Sequence, residues 1–136
     1  MRLTRRYRFA ASHRLHTPLL SEEKNRELYG KCANPYGHGH NYVLDITVSG
    51  AIDDKGRVVD RKSLDRLVHE QVLARMEHKN LNQDLTEFAE TVPTTENLAA
   101  VIRAILLDHW DLRARLVHLR ISETDRNTFD LEVSAS

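Results

Sequence analysis

The residues with the clearest capacity for chemistry lie between positions 30 and 42, in the stretch GKCANPYGHGHNY. His38 and His40 are separated by one glycine, and Cys32, the single cysteine of the chain, precedes His38 by six residues. On an extended segment, residues two apart point to the same face, so both imidazoles can reach one metal ion. Imidazole and thiolate are preferred ligands of Zn²⁺. The stretch therefore predicts a zinc site.

A third imidazole is available in segment 3–13, whose alternation of apolar and polar residues is typical of a strand. The apolar residues of this segment share one face with His13. If this strand pairs with the one that carries His38 and His40, three nitrogen donors converge. Three histidines leave the fourth position of a tetrahedral zinc open, which is the arrangement of catalytic sites.

The role of Cys32 depends on whether its thiol binds the metal. As a fourth ligand it would close the site and make it structural, whereas a free thiol beside an open zinc could transfer protons, and the spacing leaves both arrangements open. An ordinary thiol has a pKa of about 8.5, so proton transfer near neutral pH requires a base or a positive charge nearby. Glu77 and His78, in EHKNLN, are the candidate pair, because a carboxylate can orient an imidazole.

One carboxylate has the parity of a buried strand. Glu123 follows Leu119 and Ile121 at two-residue spacing, so its side chain is predicted to point inward. A buried carboxylate is costly unless it is paired. Glu123 could therefore accept two hydrogen bonds from an amidine-like edge, such as that of a 2-aminopyrimidinone.

The elements that carry these residues follow the order strand, strand, helix, helix, strand, strand. Strands are predicted at 3–13, 40–50, 116–123 and 128–133, and helices at 64–76 and 98–106, with a short surface helix at 20–29 capped by Ser21. Residues 57–60 are predicted to be extended after a turn at 53–56. This order predicts an α+β fold, a four-stranded antiparallel sheet with two helices on one face. Its open edges need protection, and pairing with another subunit is one route.

Length and composition limit the class of protein. The 136 residues fit one domain spanning 1–136, and the net charge of zero argues against a nucleic-acid partner or an anionic membrane. No apolar run is long enough to span a bilayer, and the basic N-terminus lacks the apolar segment of a signal peptide. A single cysteine fits a reducing compartment. We therefore expect a cytoplasmic protein.

Five motifs, in this order, make the chain resemble the 6-pyruvoyl tetrahydropterin synthase family: ASHRL (11–15), GKCANPYGHGHNY (30–42), EHKNLN (77–82), PTTENLA (93–99) and SETDRN (122–127). The resemblance extends from the first strand to about Phe129. It implies the T-fold, in which two helices pack on a four-stranded antiparallel sheet. It also implies that the sheets of three subunits join into a barrel and that two such trimers form a homohexamer.

The resemblance assigns roles to individual residues and implies Zn²⁺ as the cofactor and 7,8-dihydroneopterin triphosphate as the substrate. The implied zinc ligands are His13, His38 and His40. The implied catalytic residues are Cys32, which is then not a ligand, His78, Glu77 and Glu123. Glu77 stands where the family usually has Asp. The implied pterin contacts are Glu123, Thr94, Thr95 and Glu96. Candidate cations for the triphosphate are Arg5, Arg6, Arg8, Arg14, Lys24 and Lys31.

Two products are compatible with this resemblance. The spacing CxxxxxHGH and the charged segment 21–28 are similar to the branch that eliminates triphosphate and yields 6-pyruvoyltetrahydropterin. The alternative is 6-carboxy-5,6,7,8-tetrahydropterin synthase of queuosine biosynthesis, which releases acetaldehyde and typically has the shorter CxxxHGH spacing. A non-catalytic zinc- and pterin-binding protein is a third reading. The presence of Cys32, His78 and Glu123 together argues against it.

Overall fold

A computed structural model describes residues 1–134 of the chain. The first half contains β1 (Arg2–His13), α1 (Glu22–Tyr29), a 3₁₀ helix (Gly30–Ala33), β2 (His38–Ser49) and α2 (Arg61–Val68). Helix α2 continues through a π-helical stretch (His69–Leu73) into α3 (Ala74–Met76). The remaining elements are β3 (Lys79–Asn80), α4 (Leu81–Asp84), a 3₁₀ helix (Thr86–Phe88), α5 (Thr95–Asp108), β4 (Arg115–Ser122) and β5 (Thr128–Glu132).

The five strands form one sheet in the order β3-β1-β2-β4-β5. β1 and β2 pair antiparallel over their whole length, from Arg2 opposite Ser49 to His13 opposite His38. β4 and β5 extend the sheet in the same antiparallel sense. The α+β class and the antiparallel order of the four long strands are thus confirmed. The short β3, which runs parallel to β1, was not predicted, because two residues carry no periodicity.

One face of the sheet is covered by α2, its extension and α5. The core side chains of the strands alternate along β1, β2 and β4, and α5 contributes Leu98, Ile102, Ile105 and Leu106. Burying a large aliphatic or aromatic side chain stabilises the fold by about 1.5–3 kcal/mol, so this face accounts for most of the gain on folding. Within residues 1–134, no helix combines the length and the apolarity needed to cross a membrane.

A charged cluster ties β1 to α2 near the rim of this core. The Asp65 carboxylate accepts hydrogen bonds from Arg5 Nε at 3.1 Å and Arg5 Nη2 at 2.6 Å, and from Tyr7 Oη at 2.7 Å. The hydrogen-bonded Arg5 guanidinium lowers the pKa of Asp65, and burial raises the pKa of Tyr7. Asp65 is therefore ionised at neutral pH and Tyr7 is its neutral donor.

The segment after β2 departs from the sequence prediction. The turn at 53–56 forms, and the Asp53 carboxylate accepts hydrogen bonds from the backbone N–H groups of Lys55 and Arg57. The predicted extended segment 57–60 is not a strand, although Val58 and Val59 are buried. β2 already has β1 on one side and β4 on the other, so no ladder position is free for a strand returning beside it.

Candidate metal centre and active site

The register of β1 and β2 brings the strand histidines together at one end of the sheet. His13 lies opposite His38, and His40 lies opposite Ala11. The ring centroids of His13 and His40 are 4.8 Å apart, as are those of His38 and His40. The three imidazoles therefore form a chain of edge-to-face contacts in which His40 is the middle ring.

A group of four donor atoms that could hold a metal ion lies at this end of the sheet, from His13, Cys32, His40 and Glu123, all within 4.8 Å of one another. Nε2 of His13 is 3.1 Å from Nε2 of His40, and Cys32 Sγ is 3.3 Å and 3.6 Å from these two nitrogens. Glu123 Oε1 is 2.9 Å from His40 Nε2. In the part of the chain that the structure describes, His38 is exposed and outside this group.

The His13 ring is fixed by groups from other segments. Its Nδ1 lies 2.9 Å from the Pro93 carbonyl oxygen, which can only accept, so Nδ1 carries the proton and Nε2 faces the cluster with a free lone pair. Tyr42 Oη lies 3.2 Å from the same nitrogen. Burial, with His40 nearby, lowers the pKa of His13 to about 4. Burial also lowers the pKa of His40. Both imidazoles are thus neutral near pH 7, the form that binds metals.

Backbone contacts hold Cys32 in the cluster. The N–H of Leu15 donates to the Cys32 carbonyl at 2.7 Å, which joins the 3₁₀ helix to the end of β1. Gly37 has a φ of +77°, and a Cβ there would lie 2.6 Å from the His13 carbonyl oxygen, so only glycine fits this approach. Burial, with a contribution from Glu123, raises the pKa of the Cys32 thiol. The side chains around it therefore do not by themselves produce a thiolate.

Glu77 and His78 lie at the edge of the sheet, beside β1. The His78 N–H donates to the Ala10 carbonyl at 2.6 Å, and Glu77 Oε2 accepts from the Ala10 N–H at 2.9 Å. Glu77 Oε1 is 3.2 Å from His78 Nε2. One carboxylate thus contacts both the strand and the imidazole.

The conformation of His78 is unusual for a residue with a side chain. Its φ of 59° lies in the left-handed region, and its side chain is 79% exposed. A cleft of about 320 Å³ is lined by His78 and His40, with Ser12 and Lys79 among its other residues. Within residues 1–134, Cys32 is not part of that lining, so one chain brings His78 near the metal-binding end without joining it to the thiol.

Asn82 is a residue that the sequence analysis did not assign. Its Oδ1 accepts from the Arg14 N–H at 2.6 Å and its Nδ2 donates to the Arg14 carbonyl at 2.8 Å. Arg14 follows His13 directly, so Asn82 fixes the strand end that presents the His13 ring. The available signal was the last residue of EHKNLN, an amide able to donate and to accept.

The segment Thr94–Glu96 forms the start of α5, directly after Pro93. Thr94 is the N-cap, and its Oγ1 accepts from the Asn97 N–H at 3.2 Å. Thr95 is buried, and its hydroxyl has no hydrogen-bond partner among residues 1–134. Glu96 is exposed. A buried hydroxyl without a partner is costly, so Thr95 is suited to contact a ligand.

Two of the candidate triphosphate-binding arginines have carboxylate partners. Arg5 binds Asp65, and Arg6 binds Asp45 through Nε at 2.8 Å and Nη2 at 3.0 Å. Arg14 donates through Nε to the Ala33 carbonyl at 3.3 Å. A bidentate carboxylate contact uses the donor edge that a phosphate would need, which makes Arg5 and Arg6 poor candidates.

Comparisons with known proteins agree with this geometry. The family described as "6-pyruvoyl tetrahydropterin synthase" matches residues 2–133. A 6-pyruvoyl tetrahydrobiopterin synthase from Poecilia reticulata is 45% identical over 132 residues, covering 92% of this chain and 85% of that protein. A 6-carboxy-5,6,7,8-tetrahydropterin synthase from Bacillus subtilis is 38% identical over 82 residues, covering 57% and 51%.

The fold is also that of a solved member. The structure of Caenorhabditis elegans 6-pyruvoyl tetrahydropterin synthase superposes with a TM-score of 0.90 at 36% identity, covering 98% of this chain and 96% of that one. The α+β architecture described above is thus the T-fold. The chain belongs to the 6-pyruvoyl tetrahydropterin synthase family.

Proposed function

We propose that the chain is a zinc-dependent lyase that eliminates triphosphate from 7,8-dihydroneopterin triphosphate and yields 6-pyruvoyltetrahydropterin. The observation that carries this proposal is the meeting of two neutral strand imidazoles, a thiol and a carboxylate within 4.8 Å. The Poecilia reticulata relative, which covers most of the chain and is named for the pyruvoyl product, supports it.

The donor set fits zinc. The imidazole nitrogens of His13 and His40 are neutral and 3.1 Å apart, close enough to bind one Zn²⁺, and the Pro93 carbonyl fixes His13 in the ligating tautomer. We assign zinc binding to His13 and His40, with His38 as the third histidine that the family resemblance implies. Bound zinc would supply Lewis acidity toward the oxygens of the substrate side chain.

The remaining residues bind the pterin and move protons. Glu123 has a half-buried carboxylate beside His40, suited to accept two hydrogen bonds from the 2-aminopyrimidinone edge. The hydroxyl of Thr95, buried and without a partner, is suited to bind the same ring, and we include Thr94 and Glu96 in this segment. Cys32 is the proton-transfer thiol, assisted by His78, which Glu77 orients.

The exposure of His78 supports an active site shared between subunits. His78 directly precedes the edge strand β3, and the other edge of the sheet is β5. Pairing of such edges between copies removes open ladders and brings the His78 of one copy to a neighbour. We therefore propose a single catalytic domain that assembles as a homohexamer of two trimers. Light scattering coupled to size-exclusion chromatography tests this assembly, and a monomeric active enzyme would contradict it.

The reaction is tested by incubating the zinc-loaded protein with 7,8-dihydroneopterin triphosphate and identifying the products by mass spectrometry. We expect 6-pyruvoyltetrahydropterin and inorganic triphosphate. The matched variant Cys32→Ala should bind the pterin and yield neither product.

Two other outcomes would overturn the assignment. Release of acetaldehyde with a 6-carboxy product would make the chain a 6-carboxy-5,6,7,8-tetrahydropterin synthase, the activity for which the Bacillus subtilis relative is named. Binding of the pterin without turnover by the assembled, zinc-loaded protein would indicate a non-catalytic zinc- and pterin-binding protein.

A further inference from the structure

We propose that Lys79 binds the triphosphate group of the substrate, the group that leaves in the reaction. This inference rests on the proposed function and adds a residue to its binding site. Lys79 is not among the cations that the sequence analysis considered, which all lie within residues 1–31.

Lys79 lies in a cleft that also contains two imidazoles of the site. The cleft of about 320 Å³ is lined by His40, His78 and Lys79, with Ser12 and Asn41 among its other residues. Within residues 1–134, the lining contains no carboxylate, and Lys79 is its one lysine or arginine. A phosphate group in this cleft therefore meets a positive charge that no carboxylate of the lining neutralises. Lysine binds phosphate as a compact point charge.

The backbone of Lys79 is fixed, while its side chain is exposed. Lys79 begins β3, which pairs with β1. The residue before it, His78, donates its N–H to the Ala10 carbonyl at 2.6 Å. The residue after it, Asn80, donates its N–H to Asp84 Oδ2 at 2.8 Å. The exposed ammonium group can thus reach the cleft from a fixed point beside His78.

The proposed elimination requires the leaving group to lie near the proton-transfer residues. A proton passes to the Cys32 thiolate from the carbon next to the one that bears the triphosphate. The C–H electron pair becomes a C=C bond, and the C–O bond breaks with its electron pair on the triphosphate oxygen. The proton acceptor and the leaving group are therefore only a few bond lengths apart. Because His78 assists this transfer, a cation that binds the leaving group must lie beside His78, where Lys79 is.

Two other candidate cations lie in less suitable cavities. Arg14 lines a cavity of about 40 Å³ together with Glu22, which is room for a few water molecules and too little for a triphosphate. Arg8 lines a larger cavity, but Glu70 and Glu77 line it as well. Two carboxylates repel an anion, so this cavity is also unsuited to the triphosphate.

The test measures binding in the Cys32→Ala background, in which the assembled, zinc-loaded protein is expected to bind substrate without turnover. Isothermal titration calorimetry compares two ligands, 7,8-dihydroneopterin triphosphate and 7,8-dihydroneopterin. Lys79→Met should weaken binding of the triphosphate by about 10- to 100-fold, the value of one charge-assisted contact, and leave binding of 7,8-dihydroneopterin unchanged. Lys79→Arg keeps the charge and should restore most of the affinity. Lys62→Met, which removes an exposed lysine of α2, should change neither affinity.

An unchanged affinity of Lys79→Met for the triphosphate would overturn the inference. An equal loss of affinity for both ligands would also overturn it, because it would indicate a structural role. A loss specific to the triphosphate in Lys31→Met, with none in Lys79→Met, would assign the group to Lys31 instead. These outcomes are separate from the proposed function, which is tested by the products that the wild-type protein releases.

Discussion

His13 and His78 differ in their exposure and in the groups that contact their rings. His13 is 0% exposed and contacts Pro93 and Tyr42 through one nitrogen and the donor cluster through the other. His78 is 79% exposed, and its Nε2 lies 3.2 Å from Glu77 Oε1. The first ring is held by distant parts of the fold, and the second by its own neighbour in the chain.

The difference indicates that the site is built in two halves. The half with the candidate metal donors is completed by one chain, since β1, β2, the 3₁₀ helix and the residue after β4 all reach it. The half with His78 lies on the sheet edge, where a second copy can approach. A change in the first half should affect metal binding, and a change in the second should affect the reaction without loss of the metal.

The largest effect is expected from His13→Ala. Loss of a buried ligand should weaken metal binding by more than about 100-fold, since even the hydrogen-bond partners of a ligand are worth about 10- to 100-fold. Metal content after dialysis, measured by plasma mass spectrometry, checks this. The control is His118→Ala, which removes another strand imidazole, 2.9 Å from Asp130, and should keep the metal. Full metal content in His13→Ala would show that His13 is not a ligand and would contradict the division of the site into two halves.

The next effect is expected from His78→Asn. Asparagine tolerates the left-handed conformation at this position, so the backbone should remain intact while a general acid–base group worth about 100- to 10,000-fold in rate is removed. Steady-state kinetics should show the loss in kcat, with metal content and thermal stability unchanged. His69→Asn, an exposed histidine in the π-helical stretch, should retain wild-type kinetics. Unchanged turnover in His78→Asn would remove His78 from the mechanism.

A smaller effect is expected from Glu77→Gln. The amide oxygen can still accept from the Ala10 N–H, so the edge of the sheet should keep its structure, while the charge next to His78 is lost. We expect kcat to fall by about 10- to 100-fold, a smaller loss than in His78→Asn, with little change in KM. Glu70→Gln, an exposed carboxylate in the π-helical stretch, serves as the control. A larger loss than in His78→Asn would give Glu77 a direct role.

The smallest effect on the site is expected from Asp65→Asn, because Asp65 lies away from both halves of the site. The variant should lose about 1–2 kcal/mol of stability at pH 7, because a charge-assisted contact with Arg5 is removed, and keep wild-type kinetics. The pKa of Asp65 is lowered in the folded state, so its contribution is present above the unfolded pKa of about 3.9 and is lost as the pH falls through the folded value.

Denaturant unfolding at matched protein concentration, at pH 7 and at acidic pH, measures this contribution. The difference between wild type and Asp65→Asn should shrink toward acidic pH. Asp54→Asn, an exposed carboxylate in the turn after β2, should match the wild type throughout. A difference that grows as the pH falls would contradict the assigned sign.

Most of the fold was predictable because its elements have strong periodicity. The long strands and the apolar stripe of α5 were predicted within a few residues, and Ser21 caps α1 as expected. β3 was missed because it consists of two residues and exists only through its contact with β1. The prediction of an extended segment at 57–60 was wrong. Val58 and Val59 are apolar and buried, as in a strand, but this segment pairs with no strand.

The site also has features that were predictable from the sequence and features that were not. The inward direction of His13 and Glu123 followed from parity along their strands, and Glu123 does reach His40. The contact of Asn82 with the Arg14 backbone joins residues 68 positions apart, and no local pattern signals it. The contact of the Pro93 carbonyl with His13 was also not predictable, because every residue has a backbone carbonyl and the residue type does not mark this one.

The sequence by itself determined which side chains face the site, because the two-residue period of a strand puts His13 with the core residues of β1 and puts His38 with His40. Only the tertiary structure decided which donors meet. The β1–β2 register, the close approach at Gly37 and the Pro93 carbonyl bring Cys32 to His13 and His40 and leave His38 outside. The physical reason is that a strand fixes direction locally, whereas a separation of 3 to 4 Å between donor atoms depends on contacts between distant segments.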